Sequence, residues 1–499
     1  MSSQATIPRS LLHEPLWQAE DIGKPLPPSP HANSVCLPTW ADVVAYEEAD
    51  PRVISRLQTG YPRFFIHPLT ERLFAQAAQR FAAPDEFCHV YPSLTAARRC
   101  LEWVERWTGQ AGRLAAWTQV GPWVPCFPRA AADADKKYWR HTGEGVSSRL
   151  AEALLQPTEQ PDADAAKLAV RQRIAALVGV PADCVLLFGS GMSAIYTVYR
   201  AINRVSPGRR SVQFGFPYVD TLKIQQELGP GAHFFPRGDA RELRQLADLL
   251  QVEPVSAVFC EFPSNPLLVS PNLGALAELG RRREVPLVVD ETLGTYVNVD
   301  LRTVADVLVT SLTKYFTGAG DVLAGAAIVN PQSPWFERLW EAVAREYEDV
   351  LWGGDALQLA RYCEDFATRV QQINRTAEQV VDFCRSHPAI AKVYYPKYST
   401  PDHYAAVQRC PGGYGGLFSL LLRAPERNTQ RFFDALRFCK GPNLGTYFSL
   451  CCPFTLLAHF RELEWAESCG VSRYLLRFCV GLESPSDLID RLERALAEL

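Results

Sequence analysis

The chain has 499 residues, 47% hydrophobic and 21% charged, with a formal net charge of −4. That is the composition of a globular protein long enough for two or three lobes, and it excludes nucleic acid as the main partner, since neutralising phosphates takes a basic face. No apolar run reaches the roughly 18 residues of a membrane span, the N-terminus lacks the basic-then-apolar order of a secretory signal, and 14 cysteines with no Cys-x-x-Cys spacing read as buried thiols of a reducing, cytoplasmic compartment rather than disulfides or a metal site.

Residues 1–30 are polar and carry Pro25, Pro27, Pro28 and Pro30, which predicts a disordered arm. Residues 31–164 form an N-terminal extension dense in aromatics (Trp40, Tyr46, Tyr61, Phe64, Phe65), suited to packing on its own lobe or on a partner subunit. Within it, 70–110 reads as helical and Thr118–Phe127 as strand and turn. His141 to Arg149 then leads into a helix, and Arg149 is a candidate phosphate ligand.

From 165 to 385 apolar, β-branched runs alternate with helical stretches. Cys184–Phe188, Ser211–Phe216, Val255–Cys260, Pro286–Asp290 and Ala305–Thr310 are the predicted strands, and Pro334–Arg385 is helical. The alternation predicts an α/β lobe, a mainly parallel sheet with helices on both faces. Residues 386–499 read as a smaller α/β domain with strands Leu417–Leu422 and Leu475–Val480 and a terminal helix from Ser484.

Polar clusters recur where these strands stop, and in an open α/β sheet that rim is where ligands bind. Gly189-Ser190-Gly191-Met192 joins a strand to a helix and presents backbone N–H groups to an anion. Tyr218 offers an aromatic face, Asn265 an amide and Asp290 a carboxylate; Ser311, Thr313 and Lys314 close the series. Pyridoxal phosphate needs such a set: a lysine for the Schiff base, a carboxylate to keep the ring nitrogen protonated, and donors for its phosphate. Arg477, inside an apolar strand, requires an anion, either a structural carboxylate or a substrate carboxylate. Cys451-Cys452 is the thiol pair to watch for reactivity, with a structural role the favoured reading.

Taken together, these motifs resemble the Cys/Met-metabolism family of pyridoxal-phosphate enzymes of fold type I, in particular its fungal-type cystathionine γ-synthase-like branch, over about residues 31–499. The resemblance implies that Lys314 carries the cofactor, Asp290 pairs with its ring nitrogen, and Ser190, Gly191, Met192, Ser311 and Thr313 form the phosphate cup. It further implies that Tyr218 stacks on the ring, Asn265 lies near the ring hydroxyl and Arg477 grips the substrate's α-carboxylate. The family donates a Tyr-x-Arg from the neighbouring subunit, so a homodimer or homotetramer with shared sites is expected; the counterpart here is either Tyr61-Pro62-Arg63, which has both residues, or Ser147-Ser148-Arg149, which lies closer to the Gly-Ser-Gly turn but lacks the tyrosine. Where the family has Ser-Leu-Gly-Gly-x-Glu-Ser-Leu, this chain has Asn443 and Phe448 in place of the serine and the glutamate. The implied activity is γ-replacement on an activated homoserine by cysteine, acting on small amino-acid substrates. The alternatives are a γ- or β-lyase and a catalytically silent regulatory relative.

Overall fold

A computed structural model describes residues 10–62, 64–119, 121–156 and 161–499. Glu86–Cys88 (β1), Arg113–Ala116 (β2) and Trp123–Pro128 (β3) form a small antiparallel sheet in the order β1-β3-β2. It packs with helices Pro68–Phe81 and Leu94–Thr108, so the stretch expected to be helical is two helices separated by β1.

The large sheet comprises Val185–Phe188 (β4), Ser211–Phe214 (β5), Ala232–Phe235 (β6), Val258–Glu261 (β7), Leu287–Asp290 (β8), Val307–Ser311 (β9) and Gly325–Val329 (β10). Its order is β4-β10-β9-β8-β7-β5-β6; β10 runs antiparallel to β4 and β9, and the other pairs are parallel. Successive side chains point to opposite faces of a strand, and the chain fills both. Leu287 and Val289 belong to one buried cluster and Val288 to the other, as do Val258 and Cys260 against Phe259. Such strands need cover on both sides, and the helix Gly191–Val205 supplies it on the second face through Ile195, Val198, Tyr199 and Ile202. The sequence reading missed β6, whose residues are only half-buried at the sheet edge, and β10, whose Gly-Ala-Ala start lacks β-branched character.

A third sheet holds Ile390–Tyr394 (β11), Leu417–Leu422 (β12), Cys439–Lys440 (β13), Leu450–Pro453 (β14) and Leu476–Cys479 (β15), in the order β11-β12-β15-β14-β13. Helices Phe366–Ser386 and Pro485–Leu496 pack beside it. Its sheet neighbour β14 sets Cys452 opposite Arg477.

The N-terminal segment corrects one expectation. Residues 10–30 are not a loose arm: Leu11, Leu16 and Leu26 are buried in the main core, and the Ser29 hydroxyl donates to Asp321 Oδ2 at 2.9 Å. The prolines punctuate this stretch, but leucines between them bury enough apolar surface to hold it down. Residues 1–9 lie outside the described residues. Among the described residues no helix is long and apolar enough to cross a membrane.

Candidate active site

Three neighbouring strands deliver carboxylates and hydroxyls to one rim. Glu261 closes β7 directly opposite Asp290, which closes β8, and β9 ends at Ser311. Glu261 is buried and Asp290 half-buried, and among the described residues neither has a cationic partner. Burial raises the Asp290 carboxyl above its usual range against the Thr292 N–H, which donates to Oδ1 at 2.9 Å. Burial, and then the nearby Asp290 charge, pushes Glu261 up to about 8, although it accepts the N–H groups of Tyr218 at 2.5 Å and Asn265 at 3.0 Å. Two adjacent carboxylates, one buried and one half-buried, without a counter-ion form a receptor for a cation.

An anion receptor stands across the same cavity. Ser190 caps the helix Gly191–Val205: its hydroxyl accepts the Ser193 N–H at 3.0 Å, and Ser193 Oγ accepts the Ser190 N–H at 3.0 Å. The N–H groups of Gly191 and Met192 are left for another acceptor at the positive end of the helix dipole. A Cβ on Gly191 would lie 2.7 Å from Ser311 Cβ, so only glycine lets this turn approach β9. Thr313 has its hydroxyl engaged with Ala324, donating to the carbonyl at 3.3 Å and accepting the N–H at 3.1 Å.

Lys314 lines the same cavity as the two receptors. Its Nζ donates to Asn443 Oδ1 at 2.5 Å and to Tyr61 Oη at 2.8 Å, and sits 4.5 Å from the centre of the Tyr61 ring. Asn443 reaches it because Gly445 takes a left-handed conformation (φ +75°) against the backbone of Lys314 and Tyr315, where a Cβ would come within 2.5 Å of Tyr315 N. The Asn443 side-chain amide nitrogen is buried without an acceptor.

Arg477 on β15 completes the wall. It is 6% exposed, yet its acceptors are all neutral: Asn265 Oδ1 at 3.2 Å, the Pro442 carbonyl at 2.6 Å and the Asn443 carbonyl at 3.2 Å. No carboxylate among the described residues pairs with it.

One cavity of about 180 Å³ brings together Lys314, Asp290, Ser190, Gly191, Met192, Tyr218, Asn265, Ser311, Thr313, Tyr61 and Arg477. Arg149 is not among its lining residues. It pairs instead with Asp355 Oδ1 at 3.1 Å and Asp321 Oδ2 at 3.2 Å, and also donates to the Asp321 carbonyl, because two carboxylates of its own chain compete for the guanidinium. Arg63 lies outside the described residues. Phe448, in the glutamate's place, is fully buried in the core away from the cavity. Cys451 and Cys452 are buried, and burial pushes both thiols up, the opposite of activation.

Several lining residues escaped the sequence reading: Glu261, Tyr46, Glu47, Phe64 and Trp139. Glu261 was legible in principle, as a second carboxylate at the end of a strand. Glu47, pushed up to about 7 by burial against the pull of Arg140 and Arg461, arrives from a helix with no local signal.

Residues 163–497 match the model of the Cys/Met metabolism PLP-dependent enzymes, and 69–147 match that of the N-terminal domain of fungal trans-sulfuration enzymes. The chain belongs to the Cys/Met metabolism PLP-dependent enzyme family. It is 34% identical to a protein named cystathionine gamma-synthase-like enzyme iboG2 of Amanita muscaria, over 95% of this chain and 96% of that one. It is also 34% identical to a cystathionine gamma-synthase of Neurospora crassa, over 95% and 98%. The solved cystathionine gamma synthase of Xanthomonas oryzae, in complex with aminoacrylate and cysteine, superposes with a TM-score of 0.59 at 25% identity, covering 67% of this chain and 87% of that one. The fold is that of fold type I, and the family's cofactor is pyridoxal 5'-phosphate. The described residues suit that group: the carboxylate pair can meet a cation and the glycine turn an anion, in the cavity that Lys314 also lines. The region matching the fungal N-terminal domain reaches this site directly, through Trp139, Gly143, Gly145 and Val146.

Proposed function

We propose that this enzyme catalyses γ-replacement on an activated homoserine, joining an O-acylhomoserine to cysteine to give cystathionine and a carboxylic acid. The observation that supports an α-amino acid substrate is Arg477, a buried guanidinium with only neutral acceptors, facing the same cavity as Lys314. An incoming α-carboxylate supplies the missing charge through two parallel hydrogen bonds.

Lys314 would hold pyridoxal phosphate, Ser190, Gly191, Met192 and Ser311 would receive its phosphate, Tyr218 would cover its ring, and Asp290 backed by Glu261 would hold the proton on its ring nitrogen. When bound, the cofactor supplies a conjugated ring that accepts the electron pair released at the substrate Cα. This chain's side chains do the rest. Arg477 fixes the carboxylate, and Asn265, bonded to Arg477, fixes that guanidinium. Lys314 Nζ, desolvated and held by Asn443 and Tyr61, takes the Cα proton and then serves Cβ. The Cγ–O bond to the acyl group breaks, a Cγ–S bond to the cysteine sulfur forms, and the thiol proton leaves with the acid. The apolar wall of Phe454, Leu457 and Leu444 keeps water from the reacting centre.

The test is the absorbance spectrum of purified protein with pyridoxal phosphate, followed by O-acetyl- or O-succinylhomoserine with and without cysteine. Cystathionine formed only with cysteine supports replacement. Ammonia and an α-keto acid released regardless of thiol would make the enzyme a lyase, and failure to take up the cofactor would leave the silent regulatory relative.

A further inference from the structure

Besides Asp290 and Glu261, the cavity is lined by a carboxylate that the proposed chemistry leaves unused. Glu47 is the last residue of the helix Trp40–Glu47 and shares the cavity wall with Tyr46, Phe64 and Trp139. Local sequence and packing fix this helix. Thr39 and Asp42 cap its start, the Thr39 hydroxyl accepting the Asp42 N–H at 3.1 Å and the Asp42 carboxylate the Thr39 N–H at 3.2 Å. The Trp40 N–H donates to Asp434 Oδ1 at 2.7 Å, and Val43 and Ala45 are buried in the core of the C-terminal sheet. Glu47 is half-buried as a result, while the next residue, Glu48, is exposed.

Stability does not account for an acid at this position. A carboxylate on the last residue of a helix meets the negative end of the helix dipole, and among the described residues no cation lies within ion-pair distance of Glu47. Arg140 and Arg461 act on it from further off. Arg140 pairs with Asp220 at 3.7 Å and lies 4.2 Å over the Phe64 ring, and Arg461 is exposed. Burial outweighs both and pushes the carboxyl up to about 7, the condition of an acid without its counter-charge. Phe64 links this part of the wall to the reacting centre: its ring is 5.8 Å from that of Tyr61, which is 4.5 Å from Lys314 Nζ. A carboxylate among aromatic faces is a receptor for an alkylammonium.

We infer that Glu47 is a specificity-determining residue, the receptor for the ammonium group of the amino acid that supplies the thiol. The same ammonium persists in the thioether product, so Glu47 reads it both in the entering thiol and in the bound thioether. The substrate class that follows is amino-acid thiols, in preference to hydrosulfide or to thiols bearing only a carboxylate. The inference deepens the function proposed above and takes the identity of the second substrate from it.

Two measurements on full-length, cofactor-loaded protein test it. The first compares cystathionine with S-(2-carboxyethyl)homocysteine, the same thioether without the amine of its cysteine half, read as Kd in a spectral titration or as KM if the ligand is consumed. The parent should prefer cystathionine by about tenfold. Glu47→Gln, close in shape but uncharged, should remove that preference while binding the amine-less thioether as the parent does. A parent without the preference, a preference that survives in Glu47→Gln, or equal losses for both ligands would overturn the inference. Cystathionine is the product of replacement and a substrate for elimination, so this result stands whichever reaction the enzyme catalyses. The second measurement compares cysteine with 3-mercaptopropionate as nucleophiles towards O-acetyl- or O-succinylhomoserine. Glu47→Gln should raise KM for cysteine about tenfold and leave KM for 3-mercaptopropionate nearly unchanged; equal changes, or none, would refute the reading of the ammonium. Ammonia and an α-keto acid released regardless of thiol would instead sink the replacement reading, and the first measurement would then decide the role of Glu47 alone.

Discussion

Replacing Arg477 by leucine probes the substrate assignment most sharply. Arg477 lies on β15 with three neutral acceptors and no carboxylate among the described residues, so in the proposed complex it meets the substrate with its charge uncompensated. Two charge-assisted hydrogen bonds at about 1.5–3 kcal/mol each are lost on substitution, or about 3–6 kcal/mol together. At about 1.4 kcal/mol per tenfold, affinity for an amino-acid ligand falls by roughly 10²–10⁴. The fold is affected less. Asn265 Oδ1 and the carbonyls of Pro442 and Asn443 lose a donor, a cost of about 1–3 kcal/mol, while an unpaired buried charge disappears, which offsets part of it. The assay is a spectral titration of cofactor-loaded protein with homoserine and with the matching amine that lacks the carboxylate, alongside thermal unfolding. The leucine variant should lose affinity for homoserine and leave the amine nearly unchanged. Equal losses for both ligands would refute the idea that Arg477 reads the carboxylate.

Gly191→Ala drives a methyl group into Ser311 at 2.7 Å and opens the phosphate turn; a strain of about 1–3 kcal/mol should weaken pyridoxal phosphate uptake by roughly 5- to 150-fold, read by titrating cofactor-free protein. Glu261 carries a carboxyl raised from 4.5 in the unfolded chain to about 8 in the folded one, so the folded state keeps a proton that the unfolded state releases, and the stability tied to it, complete below about pH 4.5, is lost as pH rises to 8. In cofactor-free protein, Glu261→Gln should therefore gain stability relative to the parent between pH 5 and pH 8, measured by urea unfolding; a difference that does not change with pH contradicts this. Of the cysteines, Cys410 is exposed and the others are buried, so a thiol reagent should titrate about one fast thiol per native chain, with Cys451 and Cys452 reacting only on unfolding.

Much of the architecture could be read in advance because a parallel sheet covered on both faces writes itself as short apolar runs bounded by turn residues. β8 and β12 appear in the sequence as they do in the structure, while β6 and β10 do not, since an edge strand and a Gly-Ala strand carry no such run. Of the candidate site, those residues were legible that a strand end or a helix cap delivers: Ser190 at a cap, Asp290 and Ser311 at strand ends, Lys314 just beyond. Their backbone positions follow from local pattern, and the rim of the sheet gathers them.

What the sequence by itself determined is the family, the cofactor and this ordered set of groups, because each is encoded within a few residues. What only the tertiary structure decided is which distant groups meet. Glu261 owes its raised carboxyl first to burial in the packed sheet and then to register with Asp290, not to any neighbour in sequence, and Arg149 is drawn away by carboxylates more than 170 residues further along. Tyr61 reaches Lys314 across 253 positions because the N-terminal segment packs onto the loop after Lys314. Contacts of that span depend on how whole elements pack, and no local pattern records them.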